Sequence, residues 1–387
     1  MNETAVKSPA VAVHGTVAKG FERVREAFAQ NFSRGDDYEE VGAALAVYRA
    51  GKPVVDLWAG HKDRARTRPW QRDTLVNVYS TTKGIVAAAV ALLVEEGKLR
   101  YDDPVVKHWP EYGQAGKEKT TVAQLLSHQA GLPGFGEPTT VEQLYDWKRC
   151  CAVLARQKPM WTPGRQTSYH AMTWGYLVGE VLRRAGGQSV GELIAGSIAA
   201  PLAADFYLSL PQSLEPLVAQ MLGPRNPPDM SGMQLPPEAV AALVNPQLEG
   251  EACNARAWRA AQIPAASGQA TAQGVARVYA ALANKGVLDG QRLMKGETIM
   301  TMTQVQKGRT DALLGFTDNW AMGMSFNQMN MLGPSPKTFG HGGWGGSLGC
   351  ANLEAQVGIG YVCNQMGAQL VGDPRGAGLC NAVWACL

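Results

Sequence analysis

Ser80 and Lys83 stand three residues apart in the stretch YSTTKG, a spacing that puts both side chains on one face of a helix. On such a face the lysine amine reaches the serine hydroxyl and can take its proton, which makes the alcohol a nucleophile for a carbonyl carbon. The start of the helix supplies backbone N–H groups at the same point. An ordinary lysine, with a pKa of about 10.4, is a poor base at neutral pH. Burial disfavours its cation, and a drop of about 2 to 3 units, roughly 3 to 4 kcal/mol, is attainable in a core but not on a solvated face. Residues 81–96, TTKGIVAAAVALLVEE, are apolar nearly all round and stop at Gly97, which describes a helix buried in a core. S-x-x-K fixes only two positions and occurs by chance in many chains, so its surroundings must carry the case.

Those surroundings are VYSTTKG (78–84), YDDPV (101–105), TVAQLLSHQAGLPGF (121–135), PGRQTSYHAMTWGYLVGEVL (163–182) and GHGGWGGSLG (340–349). With these blocks in this order the chain resembles the class C β-lactamase superfamily, in particular the family VIII carboxylesterases, along most of its length. The resemblance implies Ser80 as nucleophile, Lys83 as its partner and Tyr169 as the tyrosine of the second motif. It also implies that His341, Gly342 and Gly343 lie on the strand edging the substrate cleft, that the N–H groups of Ser80 and Trp344 form an oxyanion hole, and that the route runs through an acyl-enzyme without a cofactor. A phenol beside a lysine cation would have its pKa lowered from about 10, so Tyr169 is a base for Ser80 or an acid for the leaving alkoxide. Whether Lys83 or Tyr169 is the general base stays open. The two glycines let a substrate lie close to the strand, and each oxyanion donor is typically worth about 3 kcal/mol.

Two departures bear on substrate. Tyr169-His170-Ala171 stands where the β-lactamases of the family show Tyr-x-Asn, and His341 stands where they show lysine. A neutral imidazole offers one hydrogen bond where an ammonium offers a full charge, which favours short-chain neutral esters over carboxylate-bearing amides. The same machinery also suits a β-lactamase, a D-amino acid amidase or peptidase, or an acyltransferase. A non-catalytic scaffold of this fold would have no need of Ser80, Lys83 and Tyr169 together.

Gly345-Gly346-Ser347-Leu348-Gly349 fits G-x-S-x-G, the nucleophile elbow of another hydrolase fold. An elbow needs a helix directly after it and a histidine further on. Here the following CANLEAQVGIGYVCNQ reads as strand and no histidine follows His341, so Ser347 is expected to end a β-turn beside the cleft. His128 is expected in a capped helix, and His14, His61 and His108 near turns; none forms a metal-binding pattern, and no metal is expected. Trp161, Trp174, Trp320 and Trp344 are either pocket walls or core, and only Trp344, fixed beside the third motif, is assigned to the pocket.

The elements that must position these residues are legible by period and punctuation. Phe21, Val24, Phe28 and Phe32 recur at helical spacing up to Gly35, and residues 43–48 and 54–58 flank Gly51-Lys52-Pro53 as a hairpin. Helices are expected at 121–128, from Thr139 with Glu142, from Ser189 with Glu192, at 271–285 and from Asp373-Pro374. The Pro- and Gly-rich residues 223–237 read as a long surface loop. Alternation at Trp320, Met322, Met324 and Phe326, and the runs 337–341 and 357–364, read as strands. The expected fold is therefore α/β, β-lactamase/penicillin-binding-protein-like: a mostly antiparallel sheet built from both termini with an inserted all-helical domain. Residues 1–98 and 312–387 are assigned to the α/β domain and 99–311 to the helical one, with the active site between.

With 36 basic and 33 acidic residues well mixed, the chain offers no basic stripe, so nucleic acid is not an expected partner. The first 16 residues lack the apolar core of a signal peptide and no window reaches membrane-spanning length; no membrane association and a cytoplasmic location are expected, with a homo-oligomer left open. Seven cysteines without framework spacing are expected to be reduced, including the adjacent Cys150 and Cys151 in the helical run 144–154.

Overall fold

The computed structural model describes residues 11–227, 234–306 and 309–387. Alternating residues near the N-terminus form β1 (Val13–Val17), followed by α1 (Glu22–Gln30), β2 (Gly42–Arg49) and β3 (Lys52–Gly60). The rest of the main sheet comes from the far end of the chain: β4 (Ser325–Phe326), β5 (Phe339–Gly342), β6 (Leu348–Asn352) and β7 (Val357–Cys363). The order is β1-β3-β2-β7-β6-β5-β4, antiparallel throughout, and β2 pairs with β7 along its length from Ala43↔Cys363 to Arg49↔Val357. The expected sheet from both chain ends is thus present, with one more N-terminal strand than expected: His14 lies in β1 rather than near a turn.

Between the two halves run α2 (Thr81–Glu95), α3 (Val122–Leu126), α4 (Trp147–Arg156), α5 (Thr173–Gly186) and α6 (Ala272–Ala283); α7 (Pro374–Trp384) closes the chain. Residues 81–93 of α2 are all buried, which explains an apolar circumference that a surface helix could not carry. Capping boxes at Thr121/Gln124 and Ser189/Glu192, and hydroxyl or carboxylate caps at Thr271 and Asp373, start their helices where the punctuation indicated. Among the described residues no helix is long and apolar enough to cross a membrane.

Several expectations are corrected. The hairpin turn is Ala50-Gly51, both at positive φ, so Lys52 and Pro53 already belong to β3. Helix α3 ends at Leu126, and His128 lies beyond it in the left-handed region at φ +60°. Thr140, not Thr139, exchanges the reciprocal bonds with Gln143, and they open only the 3₁₀ turn Glu142–Tyr145; Asp146 caps the helix proper. Residues 320–326 are not a strand: the Ala321 N–H bonds the Met324 carbonyl in a tight turn at Gly323, all of Trp320, Ala321, Met322 and Met324 are buried, and only Ser325–Phe326 joins the sheet. The alternation there reflected a doubled-back apolar segment, which period-two reading cannot distinguish from a strand. Within 223–237, residues 228–233 lie outside the described residues, and Pro237 begins the helix Pro237–Leu243.

Candidate active site

Ser80 is the N-cap of α2, reached through Tyr79, whose φ of +41° is uncommon for a side chain of that size. The Tyr79 hydroxyl donates to the Gly250 carbonyl at 2.6 Å and its ring packs 5.3 Å from that of Trp344, contacts that hold the unusual backbone in place. A serine at this position would ordinarily bond the first turn of its helix. Here its side chain makes no capping bond, and Oγ instead meets Lys83 Nζ at 3.0 Å and the Tyr169 hydroxyl at 2.7 Å.

Lys83 is fully buried, and Nζ also donates to the carbonyls of Ala171 at 2.9 Å and Ala265 at 3.1 Å. No carboxylate pairs with it among the described residues. Burial therefore acts unopposed and holds the amine well below the ordinary lysine value. A neutral amine carries two hydrogens and one lone pair. The two carbonyls can only accept, so they take both hydrogens and leave the lone pair for the Ser80 hydroxyl. Gly84, the next residue, lets the helix approach its neighbours: a Cβ there would sit 2.0 Å from the Tyr279 hydroxyl and 3.6 Å from His341 Cβ.

Tyr169 is held by its main chain. Its N–H donates to Asp311 Oδ1 at 3.0 Å, and the same oxygen accepts from Leu313 and Leu314, so a buried carboxylate fastens the tyrosine to residues 311–314. Around it, the Ser168 N–H donates to the His128 carbonyl and the His170 N–H to His128 Nδ1. His170 Nε2 accepts from the Leu132 N–H, which makes Nδ1 the donor to the Ser168 carbonyl at 2.6 Å. Both nitrogens of His170 are thus spent on the backbone, and burial lowers its pKa to about 4. The departure from Tyr-x-Asn has a structural reading: the third residue, Ala171, contributes only a carbonyl, and that carbonyl holds Lys83. Trp320 stacks on the phenol at 5.8 Å and 11°, and His128 meets Trp320 edge-on at 4.3 Å.

His341 lies on β5 opposite Gly349, its ring 6.1 Å from that of Tyr169. Its Nδ1 is 2.6 Å from the Gly342 carbonyl, so Nδ1 carries the hydrogen and Nε2 presents a lone pair. Burial lowers its pKa to about 3, so the ring is neutral. The sequence anticipated a donor at His341; the tautomer makes its free nitrogen an acceptor. After Gly342 the chain turns through residues 343–347. Neither the Ser80 nor the Trp344 amide donates a hydrogen bond within the described residues. An apolar pocket opens beside this strand, walled by Leu314, Phe316, Trp320, Phe326, Met331 and Val371 and bordered by Tyr169 and residues 340–343. Trp344 does not line it; its indole leans on Tyr79 instead. No group of three or more His, Cys, Asp or Glu among the described residues is arranged to hold a metal ion.

The structure thus brings Ser80, Lys83 and Tyr169 into mutual contact and places His341, Gly342 and Gly343 beside them. Sequence reasoning missed Asp311 and His128, and left Trp320 undecided between pocket and core. Only their burial and their bonds or ring contacts to distant residues single them out, and no local pattern signals these. Ser347 is buried at the end of the 343–347 turn and is followed by β6, not by a helix, so the elbow geometry is absent.

An S-x-x-K pair at the head of a buried helix, set against an antiparallel sheet closed from both chain ends, defines the β-lactamase and penicillin-binding-protein fold. The chain belongs to the Beta-lactamase family, whose profile matches residues 28–378. It is 33% identical over 353 residues to the esterase/β-lactamase LipL of Mycobacterium tuberculosis, covering 85% of this chain and 78% of that one. Among solved structures it is similar to a family VIII carboxylesterase, with TM-score 0.92 and 44% identity over 97% of this chain and 100% of that chain. It is similar also to a penicillin-binding protein homologue from Caulobacter crescentus, with TM-score 0.91 and 40% identity over the same shares of the two chains.

Proposed function

We propose that the protein is a serine carboxylesterase that cleaves short-chain neutral esters through an acyl-enzyme. The observation that carries this reading is the buried, carboxylate-free amine of Lys83 at 3.0 Å from Ser80 Oγ. Ser80 Oγ attacks the ester carbonyl while its proton passes to the Lys83 lone pair, which makes Lys83 the base for acylation. The oxygen of the tetrahedral intermediate gains negative charge and is met by the N–H groups of Ser80 and Trp344. As the C–O bond to the alcohol breaks, the Tyr169 hydroxyl, 2.7 Å from Ser80 Oγ, gives its proton to the leaving alkoxide and recovers one from Lys83. Water then adds to the acyl carbonyl, losing its proton to the same pair, and Ser80 is released.

The names of the relatives, an esterase/β-lactamase and a family VIII carboxylesterase, support ester hydrolysis. A neutral His341 and an apolar pocket without a lysine or arginine suit an uncharged substrate better than a carboxylate-bearing β-lactam. A panel of nitrophenyl esters of increasing acyl length, run beside nitrocefin and D-amino acid amides, tests the reading. Short-chain esters are expected to lead; equal or faster turnover of nitrocefin or the amides overturns the ester assignment.

A further inference from the structure

Ser347 lies at the centre of the G-x-S-x-G sequence, is buried at the edge of the apolar pocket, and its hydroxyl is fully engaged. Oγ donates to the Val78 carbonyl at 2.8 Å, which uses its only hydrogen. The Thr81 hydroxyl, 3.0 Å away, must then be the donor in its bond with Ser347 Oγ. Val78 and Thr81 bracket Ser80. On the other side the Gly343 N–H donates to the Ser347 carbonyl at 2.7 Å and the Gly346 N–H to the Gly343 carbonyl at 3.0 Å, so Gly343 and Ser347 bracket Trp344. The fit is tight: a Cβ on Gly343 would fall 2.3 Å from both Ser347 Oγ and the Val78 carbonyl oxygen. Behind the turn, Arg375 Nη2 and the Gly367 N–H both hold the Gly345 carbonyl, at 2.7 and 3.1 Å.

We infer that Ser347 is a positioning residue whose hydroxyl ties the 343–347 turn to residues 78–81 at the head of α2 and so sets the distance between the Ser80 and Trp344 amides. The inference rests on the proposed reading of those two amides as the oxyanion hole. Its physical basis is that a charge-stabilising donor works only where it is aimed beforehand, and a misplacement of about 1 Å can cost about 10²-fold in rate. The turn is fixed from behind by Arg375 and Gly367, but Ser347 supplies a link from its own side chain to the nucleophile segment.

The test is a comparison of Ser347→Ala, Thr81→Val and Thr81→Ser with the parent enzyme, using active sites titrated with a fluorophosphonate and the labelled peptide mapped. Ser347→Ala should lower kcat about 10- to 100-fold per titrated site with KM within about threefold, because the lost aim acts on the transition state. Thr81→Val should lower kcat by a smaller factor, Thr81→Ser should restore it, and Ser347→Ala with Thr81→Val should be no worse than Ser347→Ala, since one network is cut. Label on Ser80 together with an unchanged kcat in Ser347→Ala overturns the positioning role alone. Label on Ser347 overturns the reading of the site itself. Should Ser347→Ala fail to fold, equal kcat in Thr81→Val and Thr81→Ser overturns the inference.

Discussion

The rings of Tyr169 and Trp320 lie face to face, 5.8 Å apart and 11° from parallel, although 151 positions separate them in the chain. Trp320 therefore fixes the plane in which the phenol can swing. With the main chain of Tyr169 pinned by Asp311, the indole, together with the rings of His128 and His341, aims the hydroxyl at Ser80.

Trp320→Phe keeps a flat partner and should leave kcat/KM within about threefold. Trp320→Ala removes it and should lower kcat/KM by about 10- to 100-fold, with labelling of Ser80 by a fluorophosphonate slowing in parallel. Because a buried tryptophan replaced by alanine costs about 3 to 5 kcal/mol, the rates are compared below the melting transition of the variant. Unchanged labelling in a folded Trp320→Ala would contradict the assignment.

Lys83 gives a pH signature. Its pKa is lowered by burial, so kcat/KM should rise through a single ionisation well below 10.5. Lys83→Arg keeps a cation that cannot deprotonate and should lose at least about 10³-fold at every pH; retention of a tenth of the rate would exclude the lysine as base. Stability carries the same sign. Between the folded-state pKa and 10.5 the unfolded chain binds the extra proton, so the native state gains stability as pH rises across that interval. Lys83→Met lacks this dependence, and its stability advantage over the parent protein should shrink as pH increases, as denaturant titration at several pH values would reveal.

Glu40 predicts the opposite slope. It is buried with Oε2 3.2 Å from Arg375 Nη1 and accepts from the Tyr361 hydroxyl, yet desolvation outweighs these partners and raises its pKa to about 7. Between 4.5 and about 7 the folded protein binds the extra proton, so this group favours the native state more at pH 5 than at pH 8. In Glu40→Gln that contribution vanishes, and the difference between urea midpoints at pH 5 and pH 8 should move accordingly. A difference identical to that of the parent protein would show that Glu40 does not titrate in this range.

All seven cysteines are free, and only Cys386 is not buried. Burial pushes the thiols of Cys150, Cys151, Cys253 and Cys363 up, Cys150 to about 11 and Cys253 to about 12. Ellman's reagent at neutral pH should find at most one fast-reacting thiol in the native protein and seven in urea, with esterase rate unaffected by the native labelling. Loss of activity on that single modification would point to a functional thiol.

What could be read in the chain followed the range over which each signal acts. The head of α2 was legible because Ser80, Lys83 and the apolar circumference lie within one continuous segment, and the sheet ends were legible because β2, β3 and β7 carry their own apolar and β-branched residues and β5 leads into a glycine-rich turn. Tyr169 and Trp344 needed the ordered blocks of the family, since nothing local distinguishes them from packing residues. Asp311 and His128 act by bonding the backbone of residues far away in sequence, and the folded-back Trp320 turn imitates a strand. For His341 the residue was found but its tautomer was not, because the hydrogen is assigned by the Gly342 carbonyl in the fold.

The pairing of β2 with β7 joins the first part of the chain to nearly the last, and β7 in turn carries β6 and β5. During synthesis on a ribosome, Ser80, Lys83 and Tyr169 are all present long before the strand that holds His341 and the turn that holds Trp344. A nascent or truncated chain therefore has its nucleophile but not the wall that completes the cleft. The cleft is therefore closed late, when β7 pairs with β2.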